Sequence, residues 1–514
     1  MRSTVLSFEA GRGDEQASRF GAGGAGPVVR SRRLATGPLE LLRANQPRPR
    51  LPDVSQPRGR GRCPRHARRG AIMLESSTSG LTPQEIQDLA RDAYVFGLPL
   101  VEHYRLFALG FLPDSPQVRP ANRFLHFARL FTPKDRDVVS PNNDTLYSEA
   151  NLDLRGEPVV LDTPELSGRY FCVQLVDITT NNLPYIGTRA TGTDPRRFVI
   201  AGPDWDGVLP DSLRDALVIR SASMFVAALL RIGVSGPEDL STAAALQQRF
   251  RLTPLHELTK QAAPKLPAVA WPPYFDDKAD ASLKAFEYVN FMMQWHRFAE
   301  AEQPLLARFA RLGVRPGARM DAQALSPAVR DAMLEGVKEA RRAIQQRPVL
   351  HRGWELPDPK VGAFGDDYLL RARVAWNYIY ANSAEEAVYP ITHLDGEDRL
   401  LDGGRSRYVL RFTADALPPA RFFWSLTAYD SETRMLVENP IQRYSMGDRS
   451  RDLKKSSDGS ISFFLQHEAP EPHRVANWLP IPDGRFYVLL RIYGPTESAM
   501  RGAYVPPAID ALSD

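Results

Sequence analysis

Cysteine is almost absent from this chain: Cys63 and Cys172 are the only two in 514 residues. That excludes a disulfide framework and a Cys-rich zinc site. Cys172 lies inside an apolar run and reads as a buried structural thiol. Long hydrophobic runs are missing too. The longest candidate, Met224 to Leu230, is far shorter than the ~18 residues that span a bilayer, so no membrane partner is expected. Neither Met1 nor Met73 is followed by the apolar core of ~7–15 residues that marks a secretory signal, which makes the cytoplasm the expected compartment. The standard catalytic signatures are absent as well: no Walker A loop, no G-x-S-x-G elbow, no H-E-x-x-H and no kinase set. The nine histidines are scattered, with none at metal-ligand spacing; His103 reads as a structural or surface residue.

What is present is an ordinary globular composition, 43% hydrophobic and 25% charged, with 43 prolines that favour loops and strand edges over long helices. The length allows about three domains at roughly 150 residues each. The net charge of +4 is unevenly spread. Residues 1–72 hold 15 Arg, no Lys and 5 acids, so they carry +10 and leave −6 for the rest. The body is therefore mildly acidic and no nucleic-acid partner is expected. The Arg/Gly/Pro-rich segment 1–72 has too little apolar surface to offset chain entropy and is expected to be a disordered tail. It could be an RNA-binding tail, a transit peptide, or translated GC-rich non-coding sequence ahead of a true start at Met73. The last reading explains Arg without Lys, and it explains why foldable sequence begins just after Met73.

Thr82-Pro83-Gln84-Glu85 is a capping box with Pro at the first helical position. It opens a helix that Gly97-Leu98-Pro99 is expected to bend or end, with more helix from Leu100 to Leu109. Period-2 patterning then predicts strands over 147–152, 157–162, 169–179, 197–200, 216–220 and 224–232. In 169–179, Phe171, Val173 and Leu175 share a face with Asp177, while Tyr170, Cys172, Val176 and Ile178 take the other. Helical spacing fills 237–345, with a helix start at Ser326-Pro327, and returns over 366–382. Strands follow over 407–412, 422–429, 460–466 and 486–493. The expected class is mainly β with α: β-sandwich, central helical region, β-sandwich. The expected modules are 80–235, 236–350 and 366–510.

Ala93-Tyr94-Val95-Phe96-Gly97-Leu98-Pro99-Leu100, Ser140-Pro141-Asn142-Asn143-Asp144-Thr145-Leu146-Tyr147 and Gly168-Arg169-Tyr170 through Asp177 resemble the module called domain of unknown function 1254. Ala384-Glu385-Glu386-Ala387-Val388-Tyr389-Pro390, Phe423-Trp424-Ser425-Leu426-Thr427-Ala428-Tyr429, Asn439-Pro440-Ile441-Gln442-Arg443-Tyr444 and Asn477-Trp478-Leu479-Pro480 resemble its usual partner, domain of unknown function 1214. The resemblance covers nearly everything after Leu81. It implies an immunoglobulin-like sandwich, a helical region and a jelly-roll-like sandwich, and it implies no reaction.

Two polar constellations could carry chemistry. The first is Asn142, Asn143, Asp144 and Tyr147 with Asp177 and Arg231. Asp177 and Arg231 each end an apolar strand face, where a charge needs a partner. Asp144 and Asp177 with amide oxygens could hold a divalent cation, or serve with Arg231 as catalytic groups; equally, they could be an Asx turn and an Asp177–Arg231 ion pair. The second is Glu386, Tyr389, Trp424, Tyr429, Asn439, Arg443, Tyr444, Asn477 and Arg491. Aromatic and Arg side chains near loops suit a planar or anionic organic molecule; the structural alternative makes Trp424 core and gives Arg443 and Arg491 to carbonyls. Two functions are therefore carried forward: a cation-assisted hydrolase of a small organic substrate such as an ester, or a non-catalytic protein that binds a small organic molecule or assembles into homo-oligomers.

Overall fold

The structure, a computed structural model, describes residue 78 and residues 80–136, 139–274, 282–346 and 348–512. The expectations for 1–72 and the start at Met73 lie outside the described residues. The capping box forms as read: Thr82 Oγ1 accepts from the Glu85 backbone N–H (3.2 Å), and Glu85 Oε2 accepts from the Thr82 N–H (2.7 Å). The helix it opens, α1 (Pro83–Phe107), does not end at Pro99. Proline removes one intrahelical bond at a cost of about 3 kcal/mol. Here Leu98, Leu100, Val101, Tyr104 and Phe107 are all buried around it, and at ~1.5–3 kcal/mol each their burial outweighs the lost bond.

Nine strands follow: β1 (Leu125–Phe127), β2 (Thr145–Asp153), β3 (Val159–Thr163), β4 (Phe171–Asp177), β5 (Ile186–Gly187), β6 (Arg196–Ala201), β7 (Leu217–Arg220), β8 (Phe225–Gly233) and β9 (Arg251–Pro254). They make two sheets, ordered β1-β2-β8-β4-β5 and β7-β6-β3-β9, antiparallel except for the β6–β7 pair. Alternation explains why the sheets pair. Leu146, Ala150, Val173, Leu175, Ala228 and Leu230 from the first share one apolar cluster with Val159, Leu161, Phe198 and Ile200 from the second. The first sheet's other face is not left to water, and that face carries the rest of the structure.

Two short helices, α2 (Leu240–Gln247) and α3 (Leu255–Thr259), pack against these sheets, and the helical layer combines α1 with α4 (Ala285–Met293), α5 (Gln303–Ala310), α6 (Pro327–Ile344) and α7 (Tyr368–Tyr378). Ser326 caps α6 as the sequence predicts. Residues of α1, α4, α5 and α6 form one cluster with Val176, Phe225, Ala227 and Leu229 from the outer face of the first sheet. So α1 and α7, which precede and follow the central region in sequence, belong with it in space. Within 237–345 the chain also spends residues on β9, which pairs with β3.

The C-terminal sheets contain β10 (Leu350–His351), β11 (Trp354–Glu355), β12 (Ala387–Val388), β13 (Ile391–Thr392), β14 (Arg407–Phe412), β15 (Ala420–Asp430), β16 (Ser445–Gly447), β17 (Ile461–Gln466), β18 (Trp478–Pro480), β19 (Phe486–Pro495) and β20 (Ile509–Leu512). One sheet runs β10-β11-β13-β19-β15-β16, with β12 also on β19; the other runs β18-β17-β14-β20. Only β17–β18 is parallel. Leu426, Ala428, Val488, Leu490 and Ile492 meet Leu410, Phe412, Phe463 and Leu465 in their shared core. Among the described residues no helix is long and apolar enough to cross a membrane.

Close helix approach generates a stability test. A Cβ at Gly336 of α6 would overlap the carbonyl oxygen of Gln87 and lie 2.9 Å from the Arg91 nitrogen, both backbone atoms of α1. Gly336→Val should lower unfolding free energy by roughly 2–4 kcal/mol, since overpacking that cannot relax costs this much or more. Urea denaturation checks it; an unchanged midpoint would mean that the helices do not cross here.

Candidate functional site

The outer face of the first sheet presents two cross-strand rows. Register places Tyr147, Arg231 and Cys172 side by side on β2, β8 and β4, and Glu149, Leu229 and Gln174 in the next row. The second module turns a matching face toward them. Trp424, Leu426 and Ala428 point into its own core, so Ser425, Thr427 and Tyr429 point out of it, joined by Tyr487, Arg491 and Tyr493 of β19. Two sheets thus meet through faces that are polar but buried.

The loop before β2 joins them. Asn142 Oδ1 accepts from the Asp144 N–H (2.6 Å), a tight Asx turn. Asn142 Nδ2 donates to the Tyr493 hydroxyl (2.6 Å), which donates to Asp144 Oδ2 (3.3 Å); Ser425 Oγ donates to the same oxygen (2.6 Å). Arg491 spreads its fork over Thr427 Oγ1 (2.9 Å), the Tyr429 hydroxyl (2.7 Å) and the Ser140 carbonyl (3.0 Å). Tyr429 donates to the Pro141 carbonyl (2.8 Å). On the far side, Tyr170 and Arg189 of the first module donate to Glu386 (2.7 and 2.6 Å).

Arg231 sits between these ties. Its Nε donates to the Tyr147 hydroxyl (3.1 Å), and its Nη1 donates to Gln174 Oε1 (2.7 Å) and Asn382 Oδ1 (3.2 Å). The guanidinium lies 5.1 Å from the Tyr147 ring centre. Asn382 Nδ2 donates to the Tyr389 hydroxyl (2.5 Å). Arg231 is buried, and among the described residues no carboxylate lies within ion-pair distance of it. Tyr147 and Tyr389 are partly buried, and the Phe131 ring lies 5.6 Å from that of Tyr147. Burial and the nearby Glu386 push the Cys172 thiol up to about 12, which leaves it a neutral wall rather than a nucleophile.

The structure therefore merges the two constellations. Asn142, Asp144, Tyr147, Arg231, Glu386, Tyr389, Tyr429 and Arg491 converge at one inter-module cluster. Asn143 borders it, donating to the Phe131 carbonyl (2.6 Å), and Tyr444 packs beside Tyr389 and Tyr429. The others separate. Asp177 does not join Asp144 or Arg231: it pairs in register with Val226 while Thr145 pairs with Gly233, seven residues along β8. That is about 23 Å at ~3.3 Å per residue, and Asp177 shares the face opposite Arg231. Asp177 Oδ1 instead closes a turn, accepting from Thr179 N–H (2.8 Å), Thr179 Oγ1 (2.7 Å) and Asn181 N–H (3.0 Å). Its charge is felt by His296, whose Nδ1 bonds Ser223 Oγ (2.7 Å) on a separate cleft of about 410 Å³. Trp424 is core against Phe412 and Phe463. Arg443 donates to the Val475 and Trp478 carbonyls (2.7 and 2.8 Å), Asn439 closes its own loop, and Asn477 holds Lys454 and Ser462 carbonyls. The expected cation pair of Asp144 and Asp177 is thus not assembled, and no group of three His, Cys, Asp or Glu converges for a metal among the described residues.

Sequence reasoning missed Glu149, Gln174, Tyr380 and Asn382. Glu149 was within reach, because strand alternation puts it on the face of Tyr147. His103, read as structural or surface, is fully buried, stacked on Phe107 and bonded through Nδ1 to the Tyr380 hydroxyl (3.1 Å).

Residues 121–254 match the family described as protein of unknown function DUF1254, and residues 386–497 match DUF1214. No curated protein matches the sequence. Among solved structures, the VPA0106 protein from Vibrio parahaemolyticus is similar at 25% identity and a TM-score of 0.67, over 83% of this chain and 100% of that one. An uncharacterized protein from Burkholderia cenocepacia is similar at 12% identity and a TM-score of 0.38, over 86% of this chain and 98% of that one.

Two outcomes test the cluster. Asp144→Ala strands the Ser425 and Tyr493 hydroxyls in the interface, so it should cost roughly 2–4 kcal/mol in urea denaturation; no loss would mean that the loop does not tie the modules. Burial holds His103 neutral, with its pKa lowered from 6.5 to about 3. A depressed folded-state value means that the unfolded chain takes up the proton first. Stability is therefore full above pH 6.5 and falls as pH drops toward 3. His103→Asn should flatten melting temperature against pH across that window; an unchanged slope would place the acid sensitivity elsewhere.

Proposed function

Since the chain is a domain of unknown function 1254 followed by a domain of unknown function 1214, a pairing that carries no reaction with it, we propose from the site alone that it binds a small organic anion between its two modules. The anion meets Arg231, and an apolar, planar body lies along Tyr147, Tyr389 and Phe131. The observation that carries this reading is Arg231 itself: a buried guanidinium whose described partners are all neutral, beside the partly buried phenols of Tyr147 and Tyr389. Burying an unpaired cation costs several kcal/mol, and a bound carboxylate would offset that cost through charge-assisted bonds. Cation-assisted ester hydrolysis is the weaker proposal, because it draws on Asp144 and Asp177 together. We also read the first sheet pair as immunoglobulin-like and the second as jelly-roll-like; two facing sheets around one core, with sequence-distant neighbours such as β4 beside β8, support that reading.

Calorimetric titration with benzoate tests the site. Wild type should bind benzoate at least ~10-fold more tightly than benzamide, the scale of one charge-assisted bond, and Arg231→Met should erase the difference. That variant leaves Gln174 Oε1 without its Arg231 donor and Asn382 Oδ1 with the Tyr185 hydroxyl alone, so a loss of about 1–3 kcal/mol in stability accompanies it; Arg231→Lys, which keeps the charge, should retain part of the preference. Equal affinity for the charged and neutral probes would sink the proposal.

A further inference from the structure

We propose that the cleft at His296 is a second site, separate from Arg231, for small uncharged amides such as a lactam, with His296 donating to the ligand carbonyl and Gln303 accepting from its N–H. The cleft, of about 410 Å³, is bounded by the turn after α4, by α5 and by the loop at Arg315-Pro316. That volume falls within the ~300–1,000 Å³ of small-molecule pockets. Both walls are tied to buried parts of the fold. On one side, residues 295–297 pair with the entry to β8: the Met224 N–H donates to the Trp295 carbonyl and the Arg297 N–H to the Ala222 carbonyl, both at 2.8 Å. On the other, the fully buried Asn290 of α4 clamps the loop. It donates to the Gly313 and Ala318 carbonyls (2.9 and 3.1 Å) and accepts from the Arg315 N–H (2.8 Å). Phe298, Leu306 and Pro316 make the lining largely apolar.

The hydrogen bonds behind His296 decide what it offers. Ser223 Oγ accepts from the Ile178 N–H (3.2 Å), and its own proton has one acceptor among the described residues, His296 Nδ1 at 2.7 Å. An imidazole that accepts at Nδ1 carries its proton at Nε2. That nitrogen has no partner among the described residues and, unlike His103 Nε2, is not sealed from solvent. Burial lowers the His296 pKa and holds the ring neutral against the charges of Asp177 and Glu302, with Arg371 and Arg297 acting in the same direction as burial. His296 therefore brings one donor and no acceptor to the cleft. Gln303 brings the complement. Its Nε2 donates to the Phe298 carbonyl (3.2 Å), which fixes the orientation of the amide and leaves Oε1 to accept. Phe298 connects the two, its ring 4.6 Å from that of His296. A carboxylate fits less well. Arg297 is engaged by Asp204 (3.0 and 2.7 Å), and Asp177 and Glu302 set negative charge near the ring. An amide satisfies one donor and one acceptor without adding a charge.

The experiment titrates caprolactam and N-methylcaprolactam into protein labelled with 15N-histidine. The His296 ring signals are assigned by their loss in His296→Phe. The free protein at pH 7 should show the proton on Nε2; a proton on Nδ1 overturns the proposal. Caprolactam should shift the Nε2 signal to saturation, and N-methylcaprolactam, which lacks the N–H, should bind at least ~3-fold more weakly. Gln303→Leu, at an exposed position, should erase that difference, and His296→Phe should weaken caprolactam at least ~3-fold by calorimetry. If the phenylalanine variant fails to fold, Gln303→Leu still decides. Benzoate in excess should leave caprolactam bound, since it belongs to the Arg231 site. No saturable lactam binding, a preference undiminished in Gln303→Leu, or displacement by benzoate overturns the second site and leaves the Arg231 reading to its own test.

Discussion

Everything in this structure depends on one polar loop filling a buried polar face. The run Ser140–Asp144 leaves the first module and presents two backbone carbonyls, an amide and a carboxylate to β15 and β19. Without it, the hydroxyls of Ser425, Tyr429 and Tyr493 would lie under the first sheet with no acceptors, and the fork of Arg491 would lose the Ser140 carbonyl. Each unsatisfied group of this kind costs about 1–3 kcal/mol, so the two modules can meet only in the register that brings the loop to its place. Hydrophobic faces tolerate sliding; this one does not.

The same constraint explains why the helical layer sits where it does. The first sheet is covered on its outer face by two different materials. At the end carrying Val176, Phe225, Ala227 and Leu229, the cover is apolar helix. At the end carrying Cys172, Gln174 and Arg231, it is the second module and the segment around Asn382. The change happens along β8, where Leu229 is followed two residues later by Arg231.

Much of the fold was legible in the sequence. Strand alternation located the long strands, and the Thr82–Glu85 capping box and Ser326-Pro327 located helix starts, because those signals are local. The end of α1 was not legible: Pro99 is a local break signal overridden by long-range burial. The short strands β12, β13, β16 and β20 carry too few residues to show a period, and the parallel pairs β6–β7 and β17–β18 are set by partners distant in the chain. The site was half legible for the same reason. Residue type picked out Asp144, Arg231, Glu386 and Arg491, yet they appeared as two separate groups, since nothing local says that two sheet faces are pressed together. Asp177 misled because a carboxylate ending an apolar face looks alike whether it meets a distant partner or caps its own turn; Thr179 and Asn181, two and four residues on, supply that turn.

A comparison of Arg491 with Arg231 explains why the proposed anion is assigned to Arg231. Both are buried guanidinium groups on outward faces of long strands. Arg491 is satisfied: a carbonyl, two hydroxyls and the nearby Asp144 meet its charge. Arg231 meets two amide oxygens and a phenol, and the carboxyl whose charge it influences, Glu149, stands a row away. An interface that needed only structural bonds could have used a neutral donor at 231 with less desolvation. A permanent cation there, beside phenols instead of an acid, leaves an unfilled electrostatic demand, and that demand is what the proposed anion would meet.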